Sequence, residues 1–208
     1  HRALINTDLV YERFKREARL LSSISHKNVV HLFDFEDAGT LCFITEEYID
    51  GFPLNVLLAE GKLKLAEIVS LVAALADGLQ AVHDAGILHR DIKPNNIIVD
   101  ERGEPHLLDF GLAQSFEGKG ATALTKTGHV VGTLGFISPE VLLGETATKR
   151  SDVYQLGAVF YSALSGKAVY GRKAIAGLLK EGALDNPASL SQLGCVCDRQ
   201  IEELVMSC

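Results

Sequence analysis

The sequence predicts an α+β chain in which a small sheet-bearing part leads into a mostly helical one. Three observations carry this. The first 48 residues mix one helical pattern with two β-branched runs, residues 65–86 form a long apolar helical stripe, and from about residue 150 the pattern is helical again. At 208 residues, 47% hydrophobic and 23% charged, the chain suits one large domain or two small lobes around a real core.

The elements follow in order. Residues 7–24, "TDLVYERFKREARLLSSI", carry Leu9, Val10, Phe14, Ala18 and Leu21 at helical spacing, with Thr7 or Asp8 as the cap. "NVVHLFDFED" and "TLCFITEEYID" are apolar runs separated by "AG", a hairpin signal. "FPLNVLLAEG" predicts a short helix. In residues 65–86, Ile68, Leu71, Val72, Leu75, Leu79 and Val82 share one stripe, and Gly86 marks the stop. "NIIVD" and "PHLLD" read as two short strands joined by "ERG". The Gly- and Thr-rich stretch 111–137 reads as a long loop, and loops of that length are usually functional or disordered. "SDVYQLGAVFYSALSG" is almost wholly apolar and predicts a core helix.

Composition narrows the partners. A net charge of −7 argues against nucleic-acid binding, which needs a basic face. No apolar run approaches the ~18 residues that span a bilayer, so a cytoplasmic location is expected, with a membrane anchor outside the segment left open. Cys42, Cys195, Cys197 and Cys208 read as reduced thiols, since "CVC" lacks the two-residue spacer of zinc knuckles.

The chemistry concentrates in "HRDIKPNNIIVD", residues 89–100. Such a density of polar groups at the mouth of a buried strand is costly unless a charged ligand, a metal or a partner satisfies it. Asp91 can orient an attacking hydroxyl or accept its proton. Lys93 is a compact cation suited to a transferring phosphoryl group, and Asn96 offers a neutral oxygen to a hard metal. Taken singly, each could be no more than a capped turn. The second cluster is "LLDFG", residues 107–111, where Asp109 could hold a metal and Gly111 permits a sharp turn. A hairpin between the two short strands would bring Asn96 and Asp109 to one edge.

Together these residues match the H-R-D-x-x-x-x-N and D-F-G signatures of the kinases. Seven fixed residues at roughly one in twenty each arise by chance about once in 10⁹ start positions, which removes coincidence as an explanation. The chain resembles the eukaryotic-type protein kinase family over nearly all of its length. The implied fold is α+β and bilobal: a truncated small lobe of one helix plus antiparallel strands in residues 1–48, then a hinge and a mostly helical large lobe in residues 49–208. The implied function is transfer of the γ-phosphate of ATP to serine or threonine hydroxyls of proteins, with Mg²⁺ as cofactor and Mn²⁺ as a substitute.

The resemblance also assigns residues. Asp91 would be the catalytic aspartate, Lys93 the γ-phosphoryl stabiliser, and Asn96 and Asp109 the metal ligands. Glu17 in "FKREARLL" would pair with a nucleotide-contacting lysine. His89, Phe110, Leu21 and Leu32 fall where the family stacks a regulatory hydrophobic spine, a placement that plain core packing also explains. "TEEYIDG" looks like the hinge, with Glu47 and Ile49 meeting adenine and Ile98 beneath the ring. Glu46 then stands at the gatekeeper position, where an apolar or small residue is usual. "TKTGHVVGTLGFISPE" is similar to the activation segment of bacterial serine/threonine kinases. It makes Thr125 and Thr127 candidate phosphorylation sites, with Arg90 as the cationic receptor. Thr133 should lie against Asp91 and Lys93, an arrangement that favours serine/threonine over tyrosine substrates. Glu140, in "SPE" where Ala-Pro-Glu is commoner, should pair with an arginine, and Asp152 should anchor the catalytic loop.

The family's glycine-rich loop and strand lysine have no counterpart here: no G-x-G-x-x-G precedes residue 7, and Arg2 and Lys15 sit in the wrong segment. Both would fall before His1, and the arginine for Glu140 would fall beyond Cys208. The expectation is therefore a fragment, incomplete at both ends and inactive alone, of a parent that autophosphorylates its loop; a homodimer acting in trans is compatible with this. Two other readings compete: a non-catalytic kinase-like scaffold, which Glu46 favours, and a small-molecule kinase, which the "ISPE" platform disfavours.

Overall fold

A computed structural model of the chain describes residues 8–37, 42–111 and 134–208. Helix α1 (Asp8–Ser22) buries Ala18 and Leu21, one turn apart and therefore on one face. Leu21 packs with Ile24, Val29, Leu32, Val82 and Ile87, a contact worth roughly 1.5–3 kcal/mol for a fully buried leucine. Strands β1 (Leu32–Asp37) and β2 (Cys42–Glu46) form the expected antiparallel hairpin.

That first strand begins later than the β-branched run suggested. Residues 28–30 leave the hairpin and join the next sheet instead: Val29 bridges Leu107 in parallel, and Val30 N–H donates to the Leu107 carbonyl at 3.0 Å. Asn28 is fully buried and gives its Nδ2 to the Pro105 carbonyl at 2.8 Å.

The second sheet holds an element that the sequence did not announce. Strand β3 (Gly51–Pro53) occupies the start of the segment expected to be helical, and helix α2 (Leu54–Glu60) follows it directly. The order is β3, β4 (Ile97–Asp100), β5 (Pro105–Leu107), antiparallel throughout. Gly51 explains the strand. A Cβ there would stand 2.3 Å from the Val99 carbonyl oxygen, so only glycine lets β3 lie against β4. Pro53 closes an edge strand, where its missing N–H costs no ladder bond.

Helix α3 (Leu65–Asp84) runs as predicted, and Gly86 follows it at φ +76°. Contrary to the expectation that no run approaches a membrane span, α3 is long and apolar enough for one by length and composition. Here it is a core helix: Leu71, Leu75 and Leu79 pack with Leu54, Ile92, Ile97, Val99, Leu107, Leu156 and Val159. Helix α5 (Lys149–Ser165) supplies the last two and, with α3, forms the axis of the helical part. A short helix α4 (Pro139–Leu142) precedes it, and α6 (Arg172–Glu181) and α7 (Arg199–Ser207) complete the described residues.

Candidate active site

The catalytic-type loop hangs between α3 and β4, fixed by one apolar residue in its middle. Ile92 is 1% exposed and belongs to the main core, so its neighbours Asp91 and Lys93 are held at the rim of that core. The polar framework comes from α5. Both oxygens of the fully buried Asp152 carboxylate accept from the loop: Oδ1 from the Arg90 N–H at 2.8 Å, Oδ2 from the His89 N–H at 2.9 Å. His83, at the end of α3, adds a third contact through Nε2 at 2.8 Å to Oδ2. One turn further along α5, Gln155 accepts from the Ile92 N–H at 2.8 Å and donates to the Arg90 carbonyl at 3.0 Å.

This bracket holds Arg90 at φ +68°, a left-handed conformation that costs a residue with a side chain roughly 1–2 kcal/mol. Hydrogen bonds on either side of the peptide offset that cost. Sequence reasoning named Asp152 but missed His83 and Gln155. Their signals were present: a glutamine three residues after Asp152 in an otherwise apolar helix, and a histidine in the last turn of the apolar α3.

Within the loop, the Asp91 carboxylate is clamped at one oxygen. Oδ2 accepts from Lys93 Nζ at 2.7 Å and from Asn96 Nδ2 at 2.8 Å, while the same Nδ2 reaches the Asp91 carbonyl at 3.0 Å. The amide nitrogen of Asn96 is thereby committed, which leaves its Oδ1 as an oxygen ligand.

The hairpin brings the second carboxylate to the same end. Ile97 pairs with Leu107 in the β4–β5 ladder, and the Leu108 N–H donates to the Asn96 carbonyl at 2.9 Å. The strand ends at Leu107, two residues short of the expected run, because Asp109 turns away at φ +54°. Asp109 is exposed, Phe110 stacks on the His89 ring at 4.6 Å, and the Gly111 N–H donates to the His89 carbonyl at 2.8 Å. Phe110, Leu21 and Leu32 meet in one cluster.

Asn96 and Asp109 fit a magnesium ion in donor type: two hard oxygens at one edge, a sparse set that a nucleotide's phosphates and water would complete. Among the described residues no group of three or more His, Cys, Asp or Glu could hold a metal by itself.

Glu17 and Arg90, each expected to meet a group that lies outside the described residues, meet one another. Glu17 was matched to a strand lysine and Arg90 to a loop phosphate; among the described residues Arg90 donates to Glu17, Nη1 to Oε2 at 3.0 Å and Nη2 to Oε1 at 3.2 Å. The planar guanidinium fork matches a carboxylate in this bidentate way. Glu140, expected to pair with an arginine, accepts from the Ser151 hydroxyl at 2.7 Å. Burial pushes its carboxyl up, but hydrogen bonds, Ser151's first, hold it below the ordinary carboxylate range.

At the hinge, Ile49 is buried and Ile98 is half-buried on the face of β4 opposite Ile97 and Val99. Glu47 lines an outer cleft of about 280 Å³ with Asp50, Asp100 and His106. Thr125, Thr127 and Thr133 lie outside the described residues.

An α+β chain with an aspartate clamped by lysine and asparagine, beside a second aspartate at a hairpin end, has the layout of a phosphotransferase. Comparison with known proteins places it: residues 4–191 match the protein kinase domain, and the chain belongs to that family. Relatives include serine/threonine-protein kinases of bacteria. The chain is 37% identical over 193 residues to pkn2 of Myxococcus xanthus, covering 91% of this chain and 23% of the relative. It is 33% identical over 186 residues to PrkC of Bacillus subtilis, covering 88% and 28%. PknA of Mycobacterium tuberculosis is 38% identical over 162 residues, covering 75% and 37%. The chain thus spans well under half the length of each.

Proposed function

We propose that the complete polypeptide carrying this segment transfers the γ-phosphate of ATP to serine and threonine hydroxyls of proteins. The clamp on Asp91 carries the reading. With Oδ2 occupied by Lys93 and Asn96, the carboxylate presents Oδ1 to an incoming hydroxyl, which it orients and whose proton it accepts. Lys93 Nζ stands beside the transferring group and stabilises its charge. Asn96 Oδ1 and Asp109 are the groups that would hold magnesium, which when bound neutralises phosphate charge.

The adenine sits against the backbone of Glu47 and Ile49, above Ile98. Autophosphorylation at Thr125 or Thr127 would supply an anion that competes with Glu17 for Arg90. Thr133 beside Asp91 and Lys93 suits aliphatic hydroxyls. A non-catalytic role has one observation in its favour, the acid at position 46, and the converging polar groups at the hairpin edge count against it.

The test is incorporation of labelled phosphate from Mg·ATP into a generic basic protein. Asp91→Asn should reduce it by about 10²–10⁴-fold, the scale of a lost general base. Equal incorporation by wild type and variant would end the assignment. The 208-residue segment alone, which has no glycine-rich sequence before residue 7, should turn over little.

A further inference from the structure

The side chain at the end of β2 departs from the family's pattern, and the ladder fixes its direction. Glu46 meets Leu32 at a bulge in the hairpin; two residues back along β2, Ile44 pairs regularly with Phe35, and Glu46 shares the face of Ile44. Phe35 packs on the cluster that holds Leu21, Leu32 and Phe110, so Glu46 leaves the ladder on that same inner side, where the Asp109–Phe110 turn lies. Glu47, on the opposite face, lines the outer cleft instead.

Glu46 is solvent-accessible, yet partial burial and then the nearby Asp109 carboxylate raise its pKa above the ordinary range. Among the described residues its carboxylate has no hydrogen-bond or ion-pair partner. A carboxylate that no protein group holds, at the inner wall where the hinge begins, is free to exchange water for a donor on a ligand seated there.

We propose that Glu46 is a specificity-determining residue that selects adenine by accepting a hydrogen bond from its exocyclic amino group and repelling the corresponding carbonyl of guanine. This rests on the nucleotide site proposed above. A base whose hydrogen-bonding edge meets the backbone at Glu47–Ile49 turns its 6-substituent toward the junction of hinge and inner wall, where Glu46 stands. Adenine places N–H donors there, and guanine an oxygen. A carboxylate has acceptor positions only, so it rewards the first and opposes the second.

The test is equilibrium binding of fluorescently labelled ATP and GTP, with Mg²⁺, to the complete polypeptide in wild-type, Glu46→Gln and Glu46→Met forms. Wild type should prefer ATP. Glu46→Gln, whose amide can donate to the guanine oxygen, should narrow the ATP:GTP ratio by about 10- to 100-fold, the range of one charge-assisted hydrogen bond. Glu46→Met should weaken ATP and spare GTP. ATP methylated twice at its amino group should bind wild type more weakly than ATP, and Glu46→Met nearly as well.

An unchanged ATP:GTP ratio in both variants overturns the proposal. So does an equal shift for both nucleotides with an altered magnesium requirement, which would assign the carboxylate to the cation. If wild type binds neither nucleotide, the nucleotide site itself is wrong and this inference falls with it. Nucleotide binding with an indifferent ratio would remove the inference alone.

Discussion

Arg90 belongs to two regions of the molecule, and they hold it differently. Its backbone is fixed from the helical region, by the Asp152 carboxylate and the Gln155 amide, at 0% and 4% exposure. Its guanidinium reaches the hairpin region, where it meets Glu17 with the two side chains 16% and 14% exposed. The helical region has a continuous core through α2, α3, β4, β5 and α5. The hairpin region is a two-stranded sheet with Phe33 61% and Phe43 47% exposed. The contrast teaches where the loop's geometry is decided. The main chain that positions Asp91 is set from below, while the upper region acts on it through side-chain contacts and the short crossing of residues 28–30.

The largest expected effect is at the lower anchor. Asp152→Ala strands two loop N–H groups and His83 in a dry interior, and should cost about 3–5 kcal/mol, read as a lower midpoint in urea. Gln155→Leu leaves the Ile92 N–H and the Arg90 carbonyl unpaired and should cost about 1–3 kcal/mol. Glu17→Gln keeps the shape of the upper contact while removing its charge, and should cost about 1–2 kcal/mol, since the bidentate pair is partly shielded from water. If Glu17→Gln proved as damaging as Asp152→Ala, the two regions would hold the loop equally and the comparison would collapse.

These effects also measure what was legible in the sequence. Helices α1 and α3 were readable because each places apolar residues on one face at a 3.6-residue period, and α5 because it is apolar on nearly every side, the mark of a core helix. The β4–β5 hairpin was readable from its turn residues, and it brought Asn96 and Asp109 to one edge as expected. Strand β3 was not, because three residues carry no period; its cause is a backbone approach at Gly51 that only the fold reveals. The Glu17–Arg90 pair was hidden for another reason. It joins residues 73 apart, and no local pattern says which of several available ions an arginine will choose.

The smallest effect tests the lower region at an imperfect point beside the anchor. His89 is fully buried; among the described residues its Nδ1 receives a long contact of 3.4 Å from the Asp91 N–H and its Nε2 has no partner. Burial pushes its pKa below the ordinary 6.5, and the Asp152 and Asp91 carboxylates, which pull the other way, do not reverse this. The folded ring is therefore neutral where the unfolded ring takes up a proton. The stability this contributes is fully present above pH 6.5 and is lost as pH falls from there toward the folded pKa, by about 1.4 kcal/mol per pH unit. His89→Phe keeps an aromatic ring against Phe110, gives up the weak Asp91 contact and removes the orphaned nitrogen. At pH 7.5 the gain and loss should nearly cancel, leaving stability within about 1 kcal/mol of wild type. Between pH 7.5 and 5.5, urea midpoints should fall less steeply for the variant than for wild type. Parallel acid slopes would mean that the proton sensitivity lies elsewhere, and that the buried histidine is no weaker a part of the anchor than the aspartate beneath it.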